Sequence, residues 1–150
     1  MVEYTCKYFK NLSLEELYAI MALRQAVFIV EQDCPYLDAD GKDQFCWHLM
    51  GHENGDLVTY TRLVPRGVSY EEYPSIGRVI TAQKVRGRGL GVGLMKESIR
   101  QCAVLFGKSA IKIGAQCYLL KFYNSLGFEA VGESYLEDGI PHISMIRQED

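Results

Sequence analysis

Between positions 86 and 91 the chain reads Arg86-Gly87-Arg88-Gly89-Leu90-Gly91, two arginines interleaved with three glycines just ahead of a run with helical spacing. Those residue types suit an anion. Glycine lets the backbone turn tightly and approach a ligand closely, and the first N–H groups of a helix have no partners inside it. The helix dipole adds about half a positive charge at the same place. Val79, Ile80 and Thr81 lead into the turn, and a pyrophosphate would satisfy the whole arrangement. Two other phosphate patterns fail on spacing. A GxxxxGK[ST] loop ending at Gly107-Lys108-Ser109 needs glycine where Cys102 stands, and GxGxxG needs glycine at Val92 or Leu94.

The turn needs a strand before it and a helix after it, and the flanking sequence supplies both. Ile76 to Thr81 reads as a strand, and Val92, Met95, Ile99, Cys102, Ala103 and Phe106 recur at helical period. Upstream, Ser13-Leu14-Glu15-Glu16 has capping-box spacing. Leu14, Leu17, Tyr18, Met21 and Phe28 then predict a helix over about 14–29. Asn54-Gly55 predicts a type I′ turn joining strands at 48–52 and 57–64. Ala110 to Ala115 reads as a strand and Tyr118 to Ser125 as a short helix stopped by Gly127. Phe128–Val131 and Ile143–Ile146 read as closing strands. The order predicts a mixed, mostly antiparallel α/β sheet flanked by helices, with no repeat or linker to divide it.

Composition narrows the classes. At 150 residues the chain has the size of one ordinary domain, and five cysteines without CxxC spacing indicate neither a disulfide framework nor a zinc site. The N-terminus lacks a signal-peptide pattern and no long apolar run follows, so a soluble cytoplasmic protein with reduced thiols is expected. A net charge of −3 argues against nucleic acid and tolerates a cationic partner.

Arg86-x-x-Gly89-x-Gly91 between strand and helix resembles the acetyl-CoA signature of the GNAT superfamily. Gln116 to Tyr123 followed by Asn124-Ser125-Leu126-Gly127-Phe128 resembles that family's later motif, with Gln116 where many members carry asparagine. Val30-Glu31-Gln32-x-Cys34-Pro35-Tyr36, Asp38-x-Asp40-Gly41 and Tyr135 to His142 look like its ElaA-like branch. The resemblance implies the acyl-CoA N-acyltransferase fold, whose central sheet splays to admit the CoA arm. It also implies an N-acetyltransferase that uses acetyl-CoA as cosubstrate. The cofactor contacts carried over are Val79, Ile80 and Thr81 through main chain, Arg86 to Gly91, Gln116 and Tyr123. Tyr123 stands where the family protonates the leaving thiolate. A homodimer is implied by resemblance alone.

Acyl transfer to an amine needs a neutral nucleophile, and an amine of pKa about 10.4 is deprotonated in only about one molecule in a thousand at neutral pH. A base is therefore required, and Glu31, His48, Glu133 and His142 are candidates. Glu31 is preferred because the apolar run Val27 to Val30 could partly desolvate it. An acyl-CoA sensor without turnover would need the Arg86 turn but neither Tyr123 nor a base, and an interaction module would need none of them.

Two weaker signals complete the reading. Asp38-Ala39-Asp40-Gly41-Lys42-Asp43 suggests calcium but fails the EF-hand series, since its twelfth position is Leu49. No metal is expected, and the loop reads as solvated or as attracting a cationic substrate. His48 and His52 alternate on one strand face, which usually means exposed or satisfied histidines.

Overall fold

A computed structural model describes residues 1–149. Strand β1 (Glu3–Tyr8) opens a four-stranded antiparallel sheet of order β1-β2-β3-β4, with β2 at Trp47–Glu53, β3 at Asp56–Val64 and β4 at Ser75–Thr81. A second sheet of order β5-β7-β6 holds β5 (Ile111–Gln116), β6 (Phe128–Glu137) and β7 (Ile140–Arg147). Between them in sequence lie α1 (Leu14–Arg24), α2 (Leu90–Phe106) and the short α3 (Leu120–Asn124).

Alternation along the strands puts a helix on each face of the first sheet. Met50, Tyr60 and Ile80 pack with Ile20, Val27 and Phe28 of the α1 region. Leu49, Leu63 and Ile76 point the other way, onto Leu94, Met95 and Cys102 of α2. That second layer also holds Ile113, Phe128 and Met145, so α2 spans both sheets.

β4 and β5 are the facing edges of the two sheets, yet no ladder joins them among the described residues. They meet near their starts, where the Lys112 amide donates to the Pro74 carbonyl at 3.1 Å. The separation beyond that point is the splay that the family resemblance implies.

The expected capping box is present. Ser13 Oγ accepts from the Glu16 amide at 3.0 Å, and Glu16 accepts from the Ser13 amide at 2.8 Å. The helix expected to run to 29 ends at Arg24 and continues as a π-helical segment, Gln25–Glu31, with the Gln32 amide donating to the Val27 carbonyl. Val27 and Phe28 of this segment are both buried in the core. The closing strands extend well past Val131 and begin before Ile143, because Asp138 (φ 51°) and Gly139 (φ 78°) form a tight turn between them. All five cysteines are free thiols, and no helix among the described residues is long and apolar enough to cross a membrane.

Candidate active site

A cleft of about 1140 Å³ occupies the splay. One wall is β4 and the turn that follows it. The other is β5, Gln116 and the face of α3 carrying Phe122 and Tyr123, and the tip of the β6–β7 hairpin closes an end. The loop after the π-helical segment is tied to that hairpin, the Cys34 thiol donating to the Asp138 carbonyl at 3.4 Å.

At the mouth, Gly89 is the N-cap of α2 in left-handed backbone (φ 73°), and no side chain caps the helix. The first-turn N–H groups therefore have no intrahelical acceptor and face the cleft through Gly89, Leu90 and Gly91. Gly91 lies close to α3, since a Cβ there would sit 3.4 Å from Phe122 Cζ. In β4, the register shifts between Tyr60↔Ile80 and Arg62↔Gly77, so Arg78 and Val79 form a bulge opposite Thr61, with Arg78 at φ 53°. A bulge leaves a residue outside the ladder, here on the strand that lines the cleft.

Val79, Ile80, Thr81, Arg86, Gly87, Gly89, Leu90, Gly91, Gln116, Tyr123 and Glu31 all line this one cleft. Arg88 does not. Its side chain turns away to pair with Glu53, Nη1 to Oε1 at 2.8 Å and Nη2 to Oε2 at 2.7 Å. Arg86 lines the cleft, but its guanidinium bonds both oxygens of Glu31, Nη2 to Oε1 at 3.0 Å.

Glu31 is consequently not a desolvated carboxylate. Its side chain is about one-third exposed (35%), and hydrogen bonding from Arg86 holds its carboxyl below the usual range, the reverse of what a base near neutrality needs. Of the other base candidates, His48 is buried outside the cleft, bonded to Tyr60 Oη at 2.6 Å and the Asp43 carbonyl at 3.0 Å, and Glu133 is exposed on β6. His142 lines the cleft. Its Nδ1 donates to the Ile140 carbonyl at 2.7 Å, leaving Nε2 as the available lone pair, 3.5 Å from Glu137 Oε2. Tyr123 is buried edge-to-face against Phe122 and Phe128, with burial first and the Tyr118 phenol second pushing its hydroxyl up to about 12.

Three aspartates of the acidic loop are paired rather than free, Asp38 and Asp43 buried and Asp40 partly exposed. Asp38, Asp40 and Asp43 interleave with Arg24, Arg62 and Arg78: Arg24 Nε to Asp38 at 2.8 Å, Arg24 Nη1 to Asp43 at 2.6 Å, Arg62 to both oxygens of Asp40 at 2.9 Å, and Arg78 Nε to Asp38 at 2.7 Å. The three arginines come from α1, β3 and β4, so the sequence places them 14 to 40 residues away. His48 and His52 keep to one face of β2, whose register with β1 is unbroken; the extra residue at the β2–β3 shift is Val58 of β3, and His48 is buried while His52 is half-buried. Sequence reasoning overlooked Tyr70, Tyr135 and Glu137 as cleft residues. The Asp138-Gly139 dipeptide, a type I′ hairpin signal, would have carried the strands far enough to include the last two.

A sheet splayed at its middle edges, with an uncapped helix start at the mouth of the gap, is the architecture of the acyl-CoA N-acyltransferases. The model of the acetyltransferase (GNAT) domain matches residues 24–148, and the chain belongs to the GNAT family, whose chemistry is acyl transfer. It is 41% identical to the protein ElaA of Escherichia coli over 150 residues, 99% of this chain and 97% of that one. The crystal structure of E. coli ElaA superposes with a TM-score of 0.92, covering 99% of this chain and 100% of ElaA. An acyl-CoA N-acyltransferase from Pseudomonas aeruginosa superposes equally well (TM-score 0.92, 42% identity, 98% and 99% covered). A GNAT acetyltransferase from Elizabethkingia anophelis with acetyl-CoA bound shares the fold (TM-score 0.63, 16% identity, 98% and 97% covered).

Proposed function

We propose that the chain is a single-domain, acetyl-CoA-dependent N-acetyltransferase of the cytoplasm that passes the acetyl group to a primary amine by direct attack. The observation that carries this reading is the juxtaposition of the uncapped α2 N-terminus with the β4 bulge along one cleft. The pyrophosphate sits on the amides of Gly89, Leu90 and Gly91, and the pantetheine arm runs between β4 and Gln116 of β5. The acetyl-CoA bound to the E. anophelis acetyltransferase, which has the same fold, supports this reading.

The amine lone pair attacks the thioester carbonyl, and the resulting oxyanion takes a hydrogen bond from the main chain of the bulge at Val79. Such a donor is worth about 3–4 kcal/mol in acyl transfer elsewhere. The C–S bond then breaks, the amine proton passes to His142 Nε2, and Tyr123 protonates the departing thiolate to give amide and CoA. His142 replaces Glu31 as the favoured base because it lines the same cleft and has no guanidinium partner among the described residues.

Calorimetric titration with CoA and acetyl-CoA, followed by thiol release across a panel of amines, tests the proposal. Binding heat and release from at least one amine are expected. No heat at millimolar ligand overturns the reading, and binding without release from any amine leaves a sensor instead.

A further inference from the structure

The hairpin end of the cleft gathers polar groups that acyl transfer itself does not use. Tyr70 approaches from the loop after β3 and Tyr135 from β6, and their hydroxyls converge over Gly114 of β5. A Cβ at Gly114 would lie 2.8 Å from Tyr135 Oη and 3.7 Å from Tyr70 Oη. Both rings are held in place. Tyr135 stacks on His142 (centroids 5.9 Å apart, 24° between planes), and Lys112 Nζ lies 4.9 Å from the Tyr70 ring centre. Glu137 lines the same cleft.

Charge sets the hairpin end apart. The cleft carboxylates Glu31 and Asp40 are neutralised by Arg86 and by Arg62 with Arg78. Glu137 and the adjacent Asp138 also line the cleft, and neither has an arginine or lysine partner among the described residues; Glu137, which shares a strand face with Tyr135, has His142 Nε2 at 3.5 Å as its titratable neighbour. Burial first, and then neighbours that include the Glu137 charge, raise the pKa of both phenols, so the hydroxyls stay neutral dipoles beside that charge.

We infer that Tyr70, Tyr135 and Glu137 form the acceptor subsite, and that the group it takes is the ammonium of a small primary alkylamine. An R–NH₃⁺ group has three N–H donors, and the subsite offers three oxygen acceptors, one formally charged. A neutral alcohol supplies one donor and no charge, and a carboxylate is repelled by Glu137. A tertiary ammonium brings a single N–H and leaves two of the acceptors unmatched. With the ammonium beside the exposed Glu137, one of its protons leaves to water before attack, so the subsite binds the cation and hands over the neutral nucleophile while His142 Nε2 stays free for the proton released after attack. This assignment rests on the acetyltransferase reading above for its purpose, but its binding chemistry can be read without turnover.

The test uses the full chain saturated with CoA, the product, so that no reaction occurs. Titrations with n-pentylamine, n-pentanol and pentanoate are followed by calorimetry or ligand-observed NMR, together with a separate measurement of CoA affinity. The amine is expected to bind at least tenfold more tightly than the alcohol, and pentanoate more weakly still. Glu137→Gln and Tyr135→Phe should each weaken the amine at least fivefold while changing CoA affinity less than twofold. The exposed Glu137 side chain (59%) makes loss of folding an unsuitable explanation for that variant. Gly114→Ala gives an independent reading, since its methyl must displace the Tyr135 hydroxyl. Equal affinity for amine and alcohol, or amine binding indifferent to Glu137→Gln and Gly114→Ala, overturns the assignment. Failure of CoA to bind overturns the acetyltransferase reading instead, and the amine titration of the free protein then still judges the subsite.

Discussion

Arg86 spends its guanidinium inside the protein: both terminal nitrogens bond the carboxylate of Glu31, while Nε donates to the Thr81 carbonyl at 3.0 Å. Arg88 is likewise paired with Glu53. The turn therefore presents backbone amides and a helix dipole to the cleft, and its two arginines bring carboxylates with them.

Glu31→Gln should bind CoA more tightly than the parent. Removing the carboxylate frees Arg86 for a phosphate, and a pair this exposed is worth about 0.2–1 kcal/mol, so the gain is at most about fivefold. Calorimetry at low salt measures it. A large loss of turnover with unchanged CoA affinity would restore Glu31 to the chemistry and remove this account.

Gly89→Ala should damage CoA binding more than Gly91→Ala. At Gly89 a Cβ meets open space but φ is 73°, and left-handed backbone costs a non-glycine residue about 1–2 kcal/mol. Relief of that strain shifts the helix start, and CoA affinity falls about tenfold. At Gly91 the obstacle is the rim of the Phe122 ring at 3.4 Å, which can yield by a few tenths of an ångström. Parallel titrations and thermal melts of the two variants decide the order, and the reverse order would sink it.

What the sequence made legible is what local pattern controls. The Ser13 box, the Asn54-Gly55 turn (φ 52° and 83°) and the strand, turn and helix around 76–106 are each specified by residues within a few positions of one another. What stayed hidden depends on distant partners. The acidic loop reads as solvated until Arg24, Arg62 and Arg78 are brought to it, and Glu31 reads as a base until Arg86, 55 residues on, neutralises it. β1 alternates in burial over only its first four residues, too short a pattern to stand out before its pairing with β2 is known.

Stability should fall as the pH drops below about 6.5, the ordinary histidine value, because of His48. Burial, the largest influence, holds its pKa below the ordinary value. The Asp43 carbonyl can only accept, so Nε2 carries the proton and Nδ1 accepts from Tyr60, a neutral tautomer with both nitrogens satisfied. The unfolded chain takes up a proton there that the folded chain refuses, so stability declines by up to about 1.4 kcal/mol per pH unit. The loss of the Asp40 and Asp43 pairs begins only at lower pH, since their arginines outweigh burial and hold both carboxyls down. Urea midpoints at pH 7.5, 6.5 and 5.5 should show the slope in the parent and a flatter one in His48→Gln. An unchanged slope would remove His48 as the cause.

Arg78 joins the buried network to the bulge. Its φ of 53° is strained for any side chain, and it is held there by Nε to Asp38 Oδ1 at 2.7 Å, Nη2 to the Asp38 carbonyl at 3.2 Å and Nη2 to Asp40 at 3.3 Å. Arg78→Gly removes those bonds but also the strain, and Asp38 keeps Arg24 as partner, so the bulge and the main chain at Val79 should persist. We expect kcat within about threefold of the parent and stability lowered by about 1.5–3 kcal/mol, the scale of hydrogen bonds to charged groups. Arg78→Val keeps the strain and adds a β-branched side chain that disfavours left-handed backbone. Its relaxation into a regular ladder with Thr61 withdraws the Val79 amide from the cleft, and kcat should fall at least tenfold while CoA affinity, set at the α2 start, changes little. Steady-state rates and CoA titrations on the two variants separate backbone geometry from the loss of the ion pair. Equal kcat in the glycine and valine variants would show that the bulge does not depend on the conformation of residue 78.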